Sequence, residues 1–380
     1  MIPVERAHLY LAAITHPGRK GKKNEDRYSV SAFHLGPKVA IPSLLAVVSD
    51  GVGGHRAGEV AAEMAVETIN RVVARSDGSN PLATLREAIQ KASEVIYAQS
   101  LANPSHYGMS TTCACALVIG DRLYTASVGD SRIYLLRNHS ITQLTTDHTW
   151  VQEVLEAGVL TPEEARNHPN AHVIRRHLGS QELVEPDFRL RLSPNENDAQ
   201  AIANQGMKLC VGDRLILCSD GLTDLVNDQE ILEAFSRFKL NEALNWLVQL
   251  ANTRGGHDNI TIIALQVPPK SISLFPEQPI PKRMKWLPWA LLGSGLLLIA
   301  GLLLMKGWFG TWDETRPTPN LSPTPLQLIL SNPTAQPTLS PTALNTPSKP
   351  PRSRYIATYT PWPTSTPLPA TSLPTYSPPP

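Results

Sequence analysis

Apolar and polar positions along residues 1–267 follow two periods. Nine short segments are rich in β-branched and aromatic residues and read as strands. They are "HLYLAAIT", "RYSVSAF", "SLLAVVS", "TTCACALVI", "RLYTASV", "RIYLLR", "FRLRL", "DRLILCS" and "NITIIALQV". Helical spacing appears in two long blocks between Gly58 and Ser105, after Asp220, and again from Asn241. In the first block Val60, Met64, Ile69 and Val72 suit one helical face. Turns such as Gly120-Asp121 and Arg137-Asn138 join neighbouring strands at short spacing, which predicts antiparallel pairing. The helices come in blocks rather than after every strand, which disfavours a doubly wound parallel sheet. The expected fold is α+β, a central antiparallel β-sandwich with helices on both outer faces.

Past residue 267 the pattern changes. Residues 268–285 form a basic linker ending in Lys282, Arg283 and Lys285. Residues 286–305, "WLPWALLGSGLLLIAGLLLM", carry no charge and match the ~20 residues that cross a bilayer as a helix. Only Lys306 follows closely, so the positive-inside bias predicts a cytoplasmic N-terminal domain. Residues 306–380 are dominated further on by Pro, Thr and Ser, have no foldable period, and read as a disordered extracytoplasmic tail. That tail is a solvated spacer, or else a site of O-glycosylation or of binding to an envelope polymer. No N-terminal signal peptide is visible.

Composition narrows the chemistry. A formal net charge of +1 gives no reason to expect nucleic acid as a partner. Cys113, Cys115, Cys210 and Cys218 form no C-x-x-C and read as small core residues in a reducing compartment. There is no G-x-x-x-x-G-K-[ST] loop and no G-x-S-x-G, and Arg56 breaks a G-x-G-x-x-G reading of residues 51–58.

Two strands run straight into Ser-Asp-Gly: "LAVVSDGVGG", with Asp50-Gly51, and "LILCSDGLTD", with Asp220-Gly221. Asp-Gly is a common hairpin turn. Neither copy, however, is followed by a second alternating strand. Two further acidic places adjoin strands: Glu25-Asp26 in "KKNEDRYSV" and Asp258-Asn259 in "GGHDNITII". If these converge, about five carboxylates share one site and require cations. The donors are all oxygen, which favours two Mg²⁺ or Mn²⁺ ions over zinc. A metal pair can activate water and clamp a phosphoryl group, so no protein nucleophile is needed.

The motifs "NEDR", "VVSDGVGGHRAGEVAA", "GMSTT", "ASVGDSRIYLL", "LTTDHTWVQEVLEAGVLTPEEA", "CSDGLTD" and "GGHDNIT" occur in this order over residues 8–267. Together they resemble the protein phosphatase 2C family, metal-dependent Ser/Thr phosphatases, of bacterial type. The resemblance implies a pair of antiparallel sheets with helices outside, and phosphoserine and phosphothreonine proteins as substrates, including a Ser/Thr kinase whose action it opposes. It implies that Asp50 bridges two metals, with the Gly51 carbonyl on one, and that Asp220 and Asp258 hold the other. Glu25 and Asp26 would bind metal or its waters. Asp130, in "VGDSR", would join Asp220 at a third metal site, and residues 147–177 would form a flap beside the site.

Three departures stand out. The arginine that grips the substrate phosphate five residues before the "NED" aspartate is Gly21 here, leaving Arg19, Lys20 or Lys22 as substitutes. Val52, not histidine, follows Asp50-Gly51, so His55 is either the proton donor or a helix-start residue. Finally, "SPNENDAQAIANQGMKLCVGD" is a longer link than usual, expected as a surface loop or extra hairpin. The alternatives to catalysis are a phosphoprotein-binding or sensor module of the same fold, which Gly21 favours, and an unrelated metal-dependent hydrolase.

Overall fold

The computed structural model describes residues 1–20, 23–36, 40–52, 57–166 and 168–269. The expected membrane segment 286–305, the basic linker from residue 270 and the tail 306–380 lie outside the described residues.

The strands in chain order are β1 (Ile2–Pro3), β2 (Tyr10–His16), β3 (Arg27–Leu35), β4 (Ile41–Ser49) and β5 (Gly51–Val52). There follow β6 (Ser110–Thr111), β7 (Cys113–Ile119), β8 (Arg122–Val128), β9 (Arg132–Arg137) and β10 (Ser140–Gln143). The last are β11 (Met207–Lys208), β12 (Arg214–Cys218) and β13 (Ile260–Gln266). Helices α1 (Gly58–Arg75) and α2 (Pro81–Ala102) come first. Short helices α3 (Trp150–Glu156), α4 (Pro162–Arg166), α5 (Asp198–Ala203) and α6 (Asp220–Thr223) follow. The chain then forms α7 (Asp228–Arg237) and α8 (Leu240–Thr253).

One sheet has the order β1-β3-β4-β7-β8-β11 and the other β10-β9-β12-β13-β2, with every pairing antiparallel. A separate two-stranded ribbon joins β5 to β6.

The unbroken apolar run of β4 is explained by burial on both faces. Leu44, Ala46 and Val48 point between the sheets, together with Ala114, Ala116 and Val118 of β7, Leu215 and Leu217 of β12, and Ile263 and Leu265 of β13. The alternate residues Leu45 and Val47 pack outward on α1 and α2, beside Cys113, Cys115 and Leu117. Ile216, Cys218, Ile262 and Ala264 face α7 and α8 in the same way. Burying each large aliphatic here stabilises the fold by about 1.5–3 kcal/mol. The result is four layers, helix–sheet–sheet–helix. Helix starts have local causes: Asn80 caps α2 ahead of Pro81, and Asn227 and Glu230 form a reciprocal capping box on α7.

Four expectations need correcting. "FRLRL" alternates like a strand but forms none; an isolated bridge pairs Ser127 with Asp187 just before it, and its own backbone bonds to other segments, Leu190 to Ala201 of α5 and Arg191 to Leu144. The face of α1 that enters the core is Ala61, Ala65, Ile69 and Val73, with Val60, Met64 and Val72 flanking it, because close packing on α2 admits small residues. Cys210 is exposed rather than core, since it sits in the turn region between β11 and β12; the other three cysteines are buried. The long link before β12 is neither plain loop nor hairpin. It contains α5, started by an Asn197–Gln200 capping box, and β11, which extends the first sheet along β8.

Candidate metal centre

Both Ser-Asp-Gly turns sit where a core strand leaves the sandwich. At the first, Asp50 is fastened by its backbone: its N–H donates to Thr112 Oγ1 at 3.0 Å, and its carbonyl accepts from Thr111 Oγ1 at 2.6 Å and Thr112 N–H at 2.8 Å. Ser49, fully buried, donates to the Thr112 carbonyl at 2.8 Å. Thr112 Oγ1 lies 2.8 Å from Ser131 Oγ, so one hydroxyl chain ties Asp50 to the residue after Asp130. The "STT" motif is thus the brace of the first aspartate.

At the second turn, Ser219 donates to Asp26 Oδ2 at 2.8 Å and accepts from Thr261 N–H at 3.0 Å. Gly221 passes so close to Asn259 that a Cβ would stand 2.0 Å from its carbonyl oxygen. Asn259 in turn accepts from Glu25 N–H at 2.7 Å and donates to the Pro17 carbonyl at 3.1 Å. "NED", "SDG" and "HDN" are therefore laced together by backbone and amide contacts. Glu25 Oε2 and the Gly51 carbonyl both lie 2.8 Å from the position a Cβ on Gly58 would occupy, so two oxygens converge at the start of α1.

The electrostatics follow from this crowding. Burial first, then the charges of Asp220 and Asp258, push the Asp26 carboxyl up to about 7 despite bonds from Thr261 and Ser219. Asp50 is driven well above the carboxylate range by burial, by Asp26 and by Asp220, whose carboxyl it meets. Asp130 is driven up by burial and then by Asp220 and Asp147, with Arg132 opposing. Asp220 is raised chiefly by burial. Asp258 acts as a neighbouring charge on Asp26, Asp220 and Asp224.

Among the described residues no three His, Cys, Asp or Glu side chains stand as a ready set of ligands around one point. The fit to hard cations rests on other observations. Asp26 Oδ1, Asp130 Oδ1 and Asp220 Oδ1 are buried with no hydrogen-bond partner among the described residues. Buried carboxylate oxygens without donors require a proton or a cation, and oxygen-only sets suit Mg²⁺ or Mn²⁺.

The candidates for gripping phosphate and donating a proton are described only in part. Arg19 turns its guanidinium to the Asn252 carbonyl at 3.4 Å, and its N–H donates to the Gly256 carbonyl at 2.7 Å. Lys20 is exposed. Gly21, Lys22 and His55 lie outside the described residues. Three residues went unpredicted. Asp224 follows Asp220 by four positions, one helical turn, and its carboxyl is pushed up to about 6 by burial and Asp220; its spacing in "SDGLTD" was the available signal. His172, from the 147–177 segment, places Nδ1 3.3 Å from Asp224 Oδ2, a long-range contact that no local pattern encodes. Arg132 grips Asp147 with both Nε and Nη2, at 3.0 and 2.7 Å from Oδ2, and so fastens that segment to β9 beside Asp130.

Comparison with known proteins places the chain in a family. The family model described as protein phosphatase 2C matches residues 16–249. The chain belongs to the protein phosphatase 2C family. This phosphatase 2C chain is 39% identical over 223 residues to the serine/threonine protein phosphatase PstP of Mycobacterium tuberculosis, covering 59% of this chain and 40% of that one. It is 36% identical over 229 residues to the serine/threonine phosphatase stp of Listeria monocytogenes, covering 58% and 84%. The catalytic domain of PstP, solved in complex with two manganese ions, superposes with a TM-score of 0.55 at 35% identity, covering 68% of this chain and 97% of that one. The family fold is the mixed α+β arrangement described above.

Proposed function

We propose that the chain is a metal-dependent protein phosphatase that hydrolyses phosphoserine and phosphothreonine in proteins and opposes a Ser/Thr kinase. The observation that carries this reading is the set of donor-free buried oxygens on Asp26, Asp130 and Asp220, inside a cluster that also holds Asp50. Relatives named as Ser/Thr phosphatases, one solved with two manganese ions, support it.

When bound, two Mn²⁺ or Mg²⁺ ions supply the charge that lets these carboxylates ionise together, polarise the phosphoryl oxygens and activate water. Asp50, whose carboxyl meets that of Asp220, would bridge the two ions, with the Gly51 carbonyl on one of them. Asp220 and Asp258 would hold one ion. Glu25 and Asp26 would hold metal or order water. Asp130 would join Asp220 at a third ion. His55 remains the proton-donor candidate, and Arg19, Lys20 and Lys22 the candidates for gripping phosphate.

The anchoring rests on sequence: residues 286–305 would cross the cell membrane once, with the phosphatase domain in the cytoplasm and residues 306–380 outside.

The test is phosphate release from a phosphothreonine peptide by the full chain in detergent. Release should require Mn²⁺ or Mg²⁺ and be abolished by Asp50→Asn. Full turnover in excess chelator would overturn the metal reading. Gly21→Arg separates catalysis from mere binding: a lower KM indicates an enzyme with a weak phosphate grip, and inactivity of both forms indicates a binding module.

A further inference from the structure

His148 lies in the "TTDHTW" stretch at the root of the 147–177 segment and is 4% exposed. Its backbone N–H donates to the Gly129 carbonyl at 3.0 Å, and its Nδ1 stands 3.0 Å from the Gly129 amide nitrogen. An amide can only donate, so Nδ1 accepts and the ring proton sits on Nε2. That proton faces Asp187 Oδ2, 3.1 Å away.

Asp187 is held in its own right. Its backbone pairs with Ser127 in both directions, at 3.0 and 2.9 Å. Arg189 donates its backbone N–H to Oδ1 at 2.8 Å and its Nε to Oδ2 at 2.7 Å. Burial alone would raise the Asp187 carboxyl; the bonds from His148 and Arg189 outweigh it and keep the group well below the usual carboxylate range. A permanently charged acceptor on Nε2–H leaves His148 one tautomer, with Nδ1 free to accept from Gly129.

Both polar groups of Gly129 are therefore held by one histidine. Gly129 has φ +99°, and a Cβ there would fall 2.6 Å from Thr112 Cγ2, so the turn is pinned from the other side as well. Asp130 comes next. It is 6% exposed, and its Oδ1 has no hydrogen-bond partner. Its carboxyl interacts with its own backbone N–H, the amide of the peptide that joins it to Gly129, so the aim of the carboxylate depends on that peptide.

We propose that His148 is a positioning residue for Asp130: it clamps Gly129 so that the Asp130 carboxylate faces Asp220, where a further divalent ion binds. The proposal rests on the metal-dependent reading of the acidic cluster. His148 itself touches neither substrate nor ion. Asp187 and Arg189 fix the histidine, and Arg189 also reaches Glu156 of α3 and Asp198 of α5, so the clamp is braced by the 147–177 segment and by the long link.

Two isosteric variants separate the two ring nitrogens. Asparagine places an acceptor near Nδ1 but cannot reach Asp187. Glutamine places a donor near Nε2 but offers the Gly129 N–H no acceptor, while the backbone bond to the Gly129 carbonyl persists in both variants. Each is made in the full chain, in detergent, and read by calorimetric Mn²⁺ titration and by hydrogen–deuterium exchange, in chelator, of the peptide containing Val128–Asp130. His148→Gln should weaken the Asp130-dependent ion about 10-fold or more, the range for a residue that orients a ligand, and should speed exchange at Gly129. His148→Asn should bind within about threefold of the parent. In an Asp130→Asn background, His148→Gln should change Mn²⁺ binding no further.

The proposal is overturned if His148→Asn binds as weakly as His148→Gln, if the glutamine effect persists in the Asp130→Asn background, or if Asp130→Asn leaves the titration unchanged. Should the glutamine variant not fold, a folded asparagine variant with weakened Mn²⁺ binding overturns it, and one that binds like the parent with Gly129 protected supports it. A parent chain that binds no Mn²⁺ at all instead overturns the metal-dependent reading, and the proposal with it.

Discussion

Gly221 is the point where the second Ser-Asp-Gly turn touches the "HDN" segment, and Gly221→Ala tests whether that contact sets the spacing of Asp220 and Asp258. The new methyl would stand 2.0 Å from the Asn259 carbonyl oxygen and 2.9 Å from its carbon, where an ordinary contact begins at 3.4 Å. Both obstructing atoms are backbone, so no rotamer relieves the clash, and the two segments must part by about 1.4 Å. Overpacking of this kind costs about 1–3 kcal/mol. At roughly 2–4 °C per kcal/mol for a unit of this size, the melting temperature should fall by about 5 °C. The functional effect should be larger in proportion, because misplacement by about 1 Å can cost on the order of 100-fold in rate. The assay is a thermal melt, a Mn²⁺ titration and phosphate release from a phosphothreonine peptide. Gly212→Ala is the control: nothing lies within 4 Å of its Cβ position, and φ is +87°, so it incurs only the left-handed backbone penalty of about 1–2 kcal/mol at a distant turn. Gly212→Ala should melt lower but keep its Mn²⁺ affinity. If Gly221→Ala also keeps its affinity within twofold while melting lower, the contact supports the fold alone and the reasoning is wrong.

The Asp26 carboxyl, raised by burial and its acidic neighbours from 3.8 to about 7, binds its proton more tightly folded than unfolded. In chelator, stability should therefore decline as pH rises from 5 to 7, and Mn²⁺ should flatten the decline; melts across that range check it, and a rise in chelator contradicts the sign. Iodoacetamide should label the folded chain once, at exposed Cys210, because Cys113, Cys115 and Cys218 are buried and burial pushes the Cys218 thiol up to about 12; mass spectrometry of a doubly labelled native sample would count against the fold of β7 or β12. Protease added to intact cells, with any wall removed, should trim residues 306–380 and spare the phosphatase domain, and the reverse pattern would refute the proposed orientation.

Much of the architecture was legible in the chain because burial leaves a local imprint. Strands β4, β7, β12 and β13 are apolar at successive positions, and a strand buried on both faces has no other pattern to show. The Asp-Gly pairs were legible for a related reason. One Asp-Gly after a strand reads as a turn, but two copies that lead into helical patterns, with Glu25-Asp26 and Asp258-Asn259 beside other strands, pointed to a shared site. What local pattern could not convey was which polar groups answer one another across the sequence. "FRLRL" alternates as a strand does, yet its neighbours in space are Leu144 and Ala201, and those partners make it a connector. Cys210 was read like its three counterparts, but it lies in the turn region between β11 and β12 while they lie in core strands, and it faces solvent.

The same division holds within the site. The sequence determined the residue types: aspartates and a glutamate beside the ends of core strands. The tertiary structure alone decided how that set is held. Thr111 and Thr112 brace Asp50 from 61 and 62 residues away, Ser219 reaches Asp26 across 193, and Asn259 fastens Glu25 across 234. His148 clamps Gly129 from 19 residues away, with Asp187 behind it at a further 39. Hydrogen bonds of this kind depend on where the chain brings two groups, not on what flanks either of them. A one-dimensional pattern can therefore announce a buried carboxylate, while only the folded chain supplies the donors that aim it.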